Sequence, residues 1–243
     1  MAVIVLSIGT NHPWNVAGVG RDLVVGCSKG CRVFTAVAAV SAQDSTGVIA
    51  LGPVAQSLFE AQLSVLPWES AGAVRVGALP TSAAVHAVAA ALQARPWLPA
   101  VVDPVFAASR GGELADRAAR EALEKELATL SSVVLTPNLC EAAALLHVDA
   151  IERSNLGEAA TRLRARGAGA VLLTGGHLEG DPADALATSD GVEMFSEARI
   201  AGAMHGTGCT LAMALACELA SGAPLREAVR SARAFVRAEI ARH

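Results

Sequence analysis

Short runs of Val, Ile and Leu recur along the chain, separated by longer Ala-rich stretches with helical spacing. This alternation limits the possible folds more than any other feature. The runs at 3–8, 33–40, 74–76, 100–102, 133–135 and 170–173 read as strands. Helices are predicted near 18–28, 54–66, 82–94, 114–129, 140–146 and 156–166. Continuous apolar strands belong to a parallel sheet covered on both faces. Strand–helix alternation with right-handed crossovers then gives an α/β chain, a doubly wound three-layer sandwich. Its ligands are expected at the carboxyl ends of the strands.

After Gly175-Gly176 the pattern changes. Segments 184–188 and 192–196 flank Ser189-Asp190-Gly191, a predicted hairpin whose turn suits positive φ. Two closing helices follow, near 207–220 and 225–241, with Pro224 at an N1-like place. There is no internal repeat, low-complexity tract or linker, so 1–243 reads as one domain. Aromatic residues are only 3% and tyrosine is absent. Ala, Val and Leu must therefore fill the interior, which suits helices lying close on a sheet.

Several classes of function are disfavoured. The net charge is −4, with no basic block and few aromatics to stack on bases, which argues against nucleic acid. The apolar segment 2–8 is too short to span a bilayer and has no basic region before it, so no membrane is expected. The 5 cysteines are scattered and odd in number, as in a reduced, cytoplasmic protein. Cys27 and Cys31 have the spacing of a metal pair but lack a nearby His or second cysteine pair. Lysine occurs only at 29 and 125, so a phosphate-binding cation should be Arg or a metal.

Residues 204–210, Met-His-Gly-Thr-Gly-Cys-Thr, run directly into the apolar stretch 211–219. A glycine-rich turn entering a buried helix offers unpaired N–H groups and the positive end of the helix dipole to an anion. The same field is expected to lower the pKa of Cys209. Other polar clusters sit just past predicted strands: Gly9-Thr10-Asn11, Gln43-Asp44, Asp103-Pro104, Thr136-Pro137-Asn138 with Glu141, and Thr174-Gly175-Gly176-His177. Singly, each has a plain structural reading, such as an Asp-Pro turn or an Asn138 helix cap. Together they fall on one edge of a parallel sheet, facing the 206–209 turn.

On Val102-Asp103-Pro104-Val105, Leu135-Thr136-Pro137-Asn138 with Glu141, Gly175-Gly176-His177 and His205-Gly206-Thr207-Gly208-Cys209-Thr210, the chain resembles the hydroxymethylpyrimidine/phosphomethylpyrimidine kinases of thiamine biosynthesis. Ala17-Gly18, Asp22-Leu23 and the segment 42–48 extend the likeness over nearly the whole chain. The resemblance implies a ribokinase-like three-layer α/β/α sandwich with a mostly parallel central sheet. It implies transfer of the γ-phosphate of ATP to a pyrimidine hydroxymethyl group, and then to the resulting monophosphate. Gly206, Thr207 and Gly208 would form the anion hole. Cys209 would accept the substrate hydroxyl proton or hold the hydroxyl in line. Asp103 and Glu141 would orient Mg²⁺, largely through water. Asn138, Thr174, Gly176, His205 and Thr210 would line the nucleotide. The aminopyrimidine would lie near Gly9, Asp22, Gln43 and Ala78, with Gln43 offering a donor and an acceptor to its edge. His12, His86 and His147 read as structural, and relatives of this kind are commonly homodimers.

The chain departs from the family pattern in places. Trp14-Asn15-Val16-Ala17-Gly18 replaces a turn of small residues, Thr174 stands for a lysine near the phosphates, and Ala78 stands for a ring-packing methionine. Trp14 is a candidate to fill the space at Ala78. A late helix lysine is Arg233. Competing readings are a pyridoxal kinase-like enzyme, a pyrimidine or nucleotide binder without catalysis, and acyl transfer on Cys209, which lacks a positioned base in the sequence.

Overall fold

Buried backbone must pair its N–H and C=O groups, and the apolar runs do so side by side. The computed structural model describes residues 2–44, 46–108, 111–176, 178, 180–202 and 204–242. Its strands are β1 (Ile4–Asn11), β2 (Arg32–Gln43), β3 (Val48–Pro53), β4 (Ala73–Val76), β5 (Ala100–Val102), β6 (Val133–Leu135), β7 (Ala170–Gly175), β8 (Ala183–Thr188) and β9 (Gly191–Ser196). They form one sheet in the order β3-β2-β1-β4-β5-β6-β7-β8-β9. From β2 through β7 the neighbours run parallel. β3 closes one edge antiparallel, and the β8–β9 hairpin closes the other.

The helices are α1 (Gly18–Ser28), α2 (Gln56–Ser64), α3 (Ser82–Gln93), α4 (Arg117–Ala122), α5 (Leu139–Leu146), α6 (Leu156–Arg164), α7 (Thr207–Ala220) and α8 (Leu225–Ile240). Alternate strand residues face opposite layers, as the pleat requires. Leu6, Ile8, Val102, Leu135 and Leu173 meet α2 through α6. Val5, Val101, Val134 and Leu172 meet α1, α7 and α8. In α7, Ala212, Ala214 and Ala216 are fully buried, and such small side chains let the helix lie close on the sheet. Arg75 on β4 breaks the apolar pattern: it is 0% exposed and sits on the α7 side.

Most predicted elements stand, with differences that have local causes. β3 was not expected. It is an edge strand whose residues are exposed or half-buried, with Ile49 73% exposed, so no core face marks it. The helix predicted from 114 begins at Arg117, because the Leu114 and Ala115 N–H groups donate to the Phe106 carbonyl and Asp116 caps the first turn. Its end is a π-helical turn, Leu123–Leu127. β1 and β2 extend further than predicted, so Gly9, Asn11 and Gln43 lie within strands and not beyond them. Pro224 caps α8 from outside its first turn. Among the described residues, no helix is long and apolar enough to cross a membrane.

Candidate active site

The parallel strands deliver their carboxyl ends to one edge, and backbone bonds keep the segments aligned beyond the strands. The Gly77 N–H donates to Ile8 O at 2.8 Å, and the Asp103, Thr136 and Thr174 N–H groups donate to Val76, Val102 and Pro137 oxygens at 2.9 Å each. Gly9 therefore lies against Gly77 and Ala78. Asp103, Asn138 and Thr174 follow along the row.

The start of α7 meets this row. Gly206 has φ +75°, and a Cβ there would lie 2.0 Å from the Val16 carbonyl oxygen. No other residue fits both demands. Thr210 N–H makes the first helical bond, to Gly206 O. The N–H groups of Gly208 and Cys209 take no acceptor among the described residues, and Gly208 is exposed. The turn thus keeps the open donors and dipole end that an anion needs.

Cys209 is half-buried by surface. It lies close enough to Arg75, Asp103 and Asp22 for their charges to act on its thiol. Burial pushes the thiol up to about 11; Arg75 opposes the rise, and Asp103 and Asp22 add to it. The expectation of a lowered pKa is therefore corrected. Desolvation and two nearby carboxylates outweigh the helix dipole and the guanidinium.

Glu141 and Asp103 occupy one acidic corner. Burial, then the charge of Asp103, raises Glu141 well above the ordinary carboxylate range, while its bonds to Asn138 pull the other way. Burial raises Asp103 as well, with Arg75 opposing. Gln43 ends β2 at a register shift, and its Oε1 is buried without a partner. Ala78 is buried and its carbonyl accepts the Thr10 hydroxyl.

Two expected ligand contacts lie behind the site. Asp22 is 0% exposed, takes the Ser7 hydroxyl at 2.7 Å and faces Arg75 Nη1 at 3.3 Å. It is the guanidinium's counter-ion and offers no exposed surface to a ligand. The Thr210 hydroxyl is also fully buried; it donates to Gly206 O at 2.8 Å and accepts Arg21 Nε at 2.9 Å, so it braces the turn. Arg233 pairs with Asp184 at 2.8 Å and Glu197 at 2.6 Å, a link between α8 and the β8–β9 hairpin.

The remaining positions fall as follows. Asn138 is the N-cap of α5, and Thr174 Oγ1 contacts Pro137 O at 3.3 Å. Gly176 and His205 are exposed. Arg199 holds the carbonyls of Gly176, Leu178 and Gly180. Trp14 is 58% exposed and does not plug the space at buried Ala78. His12 is buried, with Nε2 accepting the Ala17 N–H. His86 and His147 pair with Glu126 and Glu124. His177 lies outside the described residues. Arg75 is the one central residue that sequence reasoning missed. In Val74-Arg75-Val76 it reads as the outward member of a strand, and its partners are remote in sequence.

Comparison with known proteins bears on the family and the fold. The model of the family described as phosphomethylpyrimidine kinase matches residues 13–243. The chain is 36% identical to a hydroxymethylpyrimidine/phosphomethylpyrimidine kinase of Rhizobium meliloti over 244 residues, 99% of this chain and 91% of the relative. The ADP complex of Bacillus subtilis pyridoxal kinase superposes with a TM-score of 0.90 at 29% identity, over 99% of this chain and 92% of that one. A phosphomethylpyrimidine kinase from Clostridium difficile 630 shares the fold, with a TM-score of 0.85 at 24% identity over 98% and 99% of the two chains. The chain belongs to the phosphomethylpyrimidine kinase family.

Proposed function

We propose that the protein transfers the γ-phosphate of ATP to 4-amino-5-hydroxymethyl-2-methylpyrimidine, to its monophosphate, or to both, in thiamine biosynthesis. The observation that carries this reading is the left-handed Gly206 turn, which opens the amino end of α7 with unpaired N–H groups beside Cys209. Phosphoryl transfer asks a protein for positioning and charge stabilisation more than for covalent chemistry. The Gly206–Gly208 turn holds the transferring phosphoryl oxygens on backbone N–H groups. Cys209 stands beside it, where it orients the substrate hydroxyl or accepts its proton as the bond forms. The unpartnered Gln43 Oε1 is an acceptor for an exocyclic amine on the ring. Asn138, Thr174, Gly176 and His205 lie on the nucleotide side.

Asp103 and Glu141 fit Mg²⁺. Both are pushed towards the protonated state by burial, and a divalent cation would favour their ionised forms. Two carboxylates suit a cation that keeps most of its water. When bound, the ion would neutralise charge on the phosphate oxygens. The same reading includes a homodimer in the cytoplasm.

A second reading, phosphorylation of a pyridoxal-type ring alcohol, is favoured by one observation: the Bacillus subtilis pyridoxal kinase superposes with a TM-score of 0.90. An ADP-release screen with the aminopyrimidine alcohol, its monophosphate and pyridoxal separates the two. Thermal stabilisation by these ligands without ADP release would leave a binder without catalysis and sink both.

A further inference from the structure

We propose that Arg75 is a positioning residue: its buried guanidinium, clamped between Asp22 and Asp103, holds the Asp103 carboxylate and the Cys209 thiol in the arrangement that transfer requires. This rests on the kinase reading above. Arg75 Nη2 lies 2.9 Å from Asp103 Oδ2, and Nη1 lies 3.3 Å from Asp22 Oδ2. Ser7, the register partner of Arg75 on β1, fixes Asp22 in turn. Nη2 is hydrogen-bonded to Asp103 while Nη1 faces Asp22 as a charge pair without a hydrogen bond, so the planar fork sits between two carboxylates, with Cys209 close enough to feel its charge.

Stability does not explain such a residue. A well-packed apolar side chain of similar volume is often as stabilising as a buried ion pair, whereas removing one partner alone is costly. The chain instead preserves the guanidinium's seat: a Cβ on Gly77 would lie 1.9 Å from Nη1. Arg75 is fully buried and offers no surface to a ligand. It acts through Asp103 and Cys209, which do face the site. The cation at the centre of this cluster is Arg75.

The test compares Arg75→Lys with the double variant Arg75→Met/Asp22→Asn, in which one buried pair is removed as a unit. Lysine should keep kcat within about tenfold. The double variant leaves Asp103 without its cation, so it should melt below the wild type yet stay folded at the assay temperature and lose about 100-fold in kcat, with KM for ATP and the alcohol held within about threefold. Recovery of kcat in the double variant overturns the proposal, since Arg75 would then only neutralise Asp22. A loss carried by KM overturns it too. Should the double variant not fold, Gly77→Ala displaces the guanidinium while keeping its charge: the same kcat loss supports the proposal, and an unchanged kcat overturns it. If the wild type releases no ADP with any ring alcohol, the kinase reading fails. Crystal structures of wild type and Gly77→Ala then decide: Asp103 and Cys209 rotated apart support positioning, and unmoved side chains overturn it.

Discussion

Asn138 and Glu141 cap each other at the start of α5: the Asn138 N–H donates to Glu141 Oε2 at 2.8 Å, and Asn138 Oδ1 accepts the Glu141 N–H at 2.9 Å. One acidic side chain thus ends a helix and faces Asp103 at once. The two duties can be separated. Glu141→Gln keeps an acceptor for the cap, so urea unfolding should change by less than about 1 kcal/mol, while kcat falls about 100-fold. Asn138→Ala should cost about 1 kcal/mol of stability through the lost cap. A Glu141→Gln enzyme with full activity would remove the carboxylate from the reaction.

Cys209 should be a slow thiol. With its pKa pushed up to about 11, the thiolate fraction near pH 7.5 is on the order of one in three thousand. Iodoacetamide followed by peptide mass spectrometry should therefore label the exposed Cys27 and Cys140 first and Cys209 much later. Labelling of Cys209 as fast as Cys140 would mean that the helix dipole governs the thiol after all.

Gly206→Ala should weaken the fold and the anion turn together. The left-handed conformation alone costs a non-glycine residue about 1–2 kcal/mol, and the new Cβ would press on Val16 O. A melting-temperature drop with about tenfold or greater weakening of ATP binding is expected. Gly208→Ala, with open space around its Cβ, should change stability far less.

Asp22 makes stability depend on pH in a defined direction. Burial raises its pKa to about 6, with Arg75 and Ser7 opposing, from an ordinary value of 3.8. The folded state thus binds its proton more tightly than the unfolded chain does. Its contribution is full below about pH 4 and is lost as pH rises through about 6. Relative to wild type, Asp22→Asn should gain on the order of 3 kcal/mol between pH 4 and pH 7 by urea unfolding. A constant difference across that range would show that Asp22 is ionised throughout.

How far the sequence could be read depends on where its signals are local. β5 and β6 matched the prediction residue for residue, because each is three apolar residues buried on both faces. The Gly206 turn was legible because glycine, hydroxyl and helix-forming residues follow one another directly. β3 was not legible, since an edge strand whose Val and Leu are half-buried and whose Ile is exposed lacks a core face. Thr210 and Asp22 carried the right chemistry for ligands, yet their contacts to Arg21, Ser7 and Arg75 form only in three dimensions. Arg75 was hidden for the same reason. Its partners Asp22 and Asp103 lie on α1 and just past β5, and nothing in the spacing joins them.

The most direct measurement follows the ring alcohol itself: the chain is incubated with ATP, Mg²⁺ and the aminopyrimidine alcohol, and products are identified by mass spectrometry beside a Cys209→Ala control. The expected result is a phosphorylated pyrimidine formed in step with ADP, and near-complete loss in Cys209→Ala with its melting temperature retained. Unmodified alcohol after prolonged incubation, or equal product from Cys209→Ala, would contradict a phosphoryl-transfer site built on the start of α7.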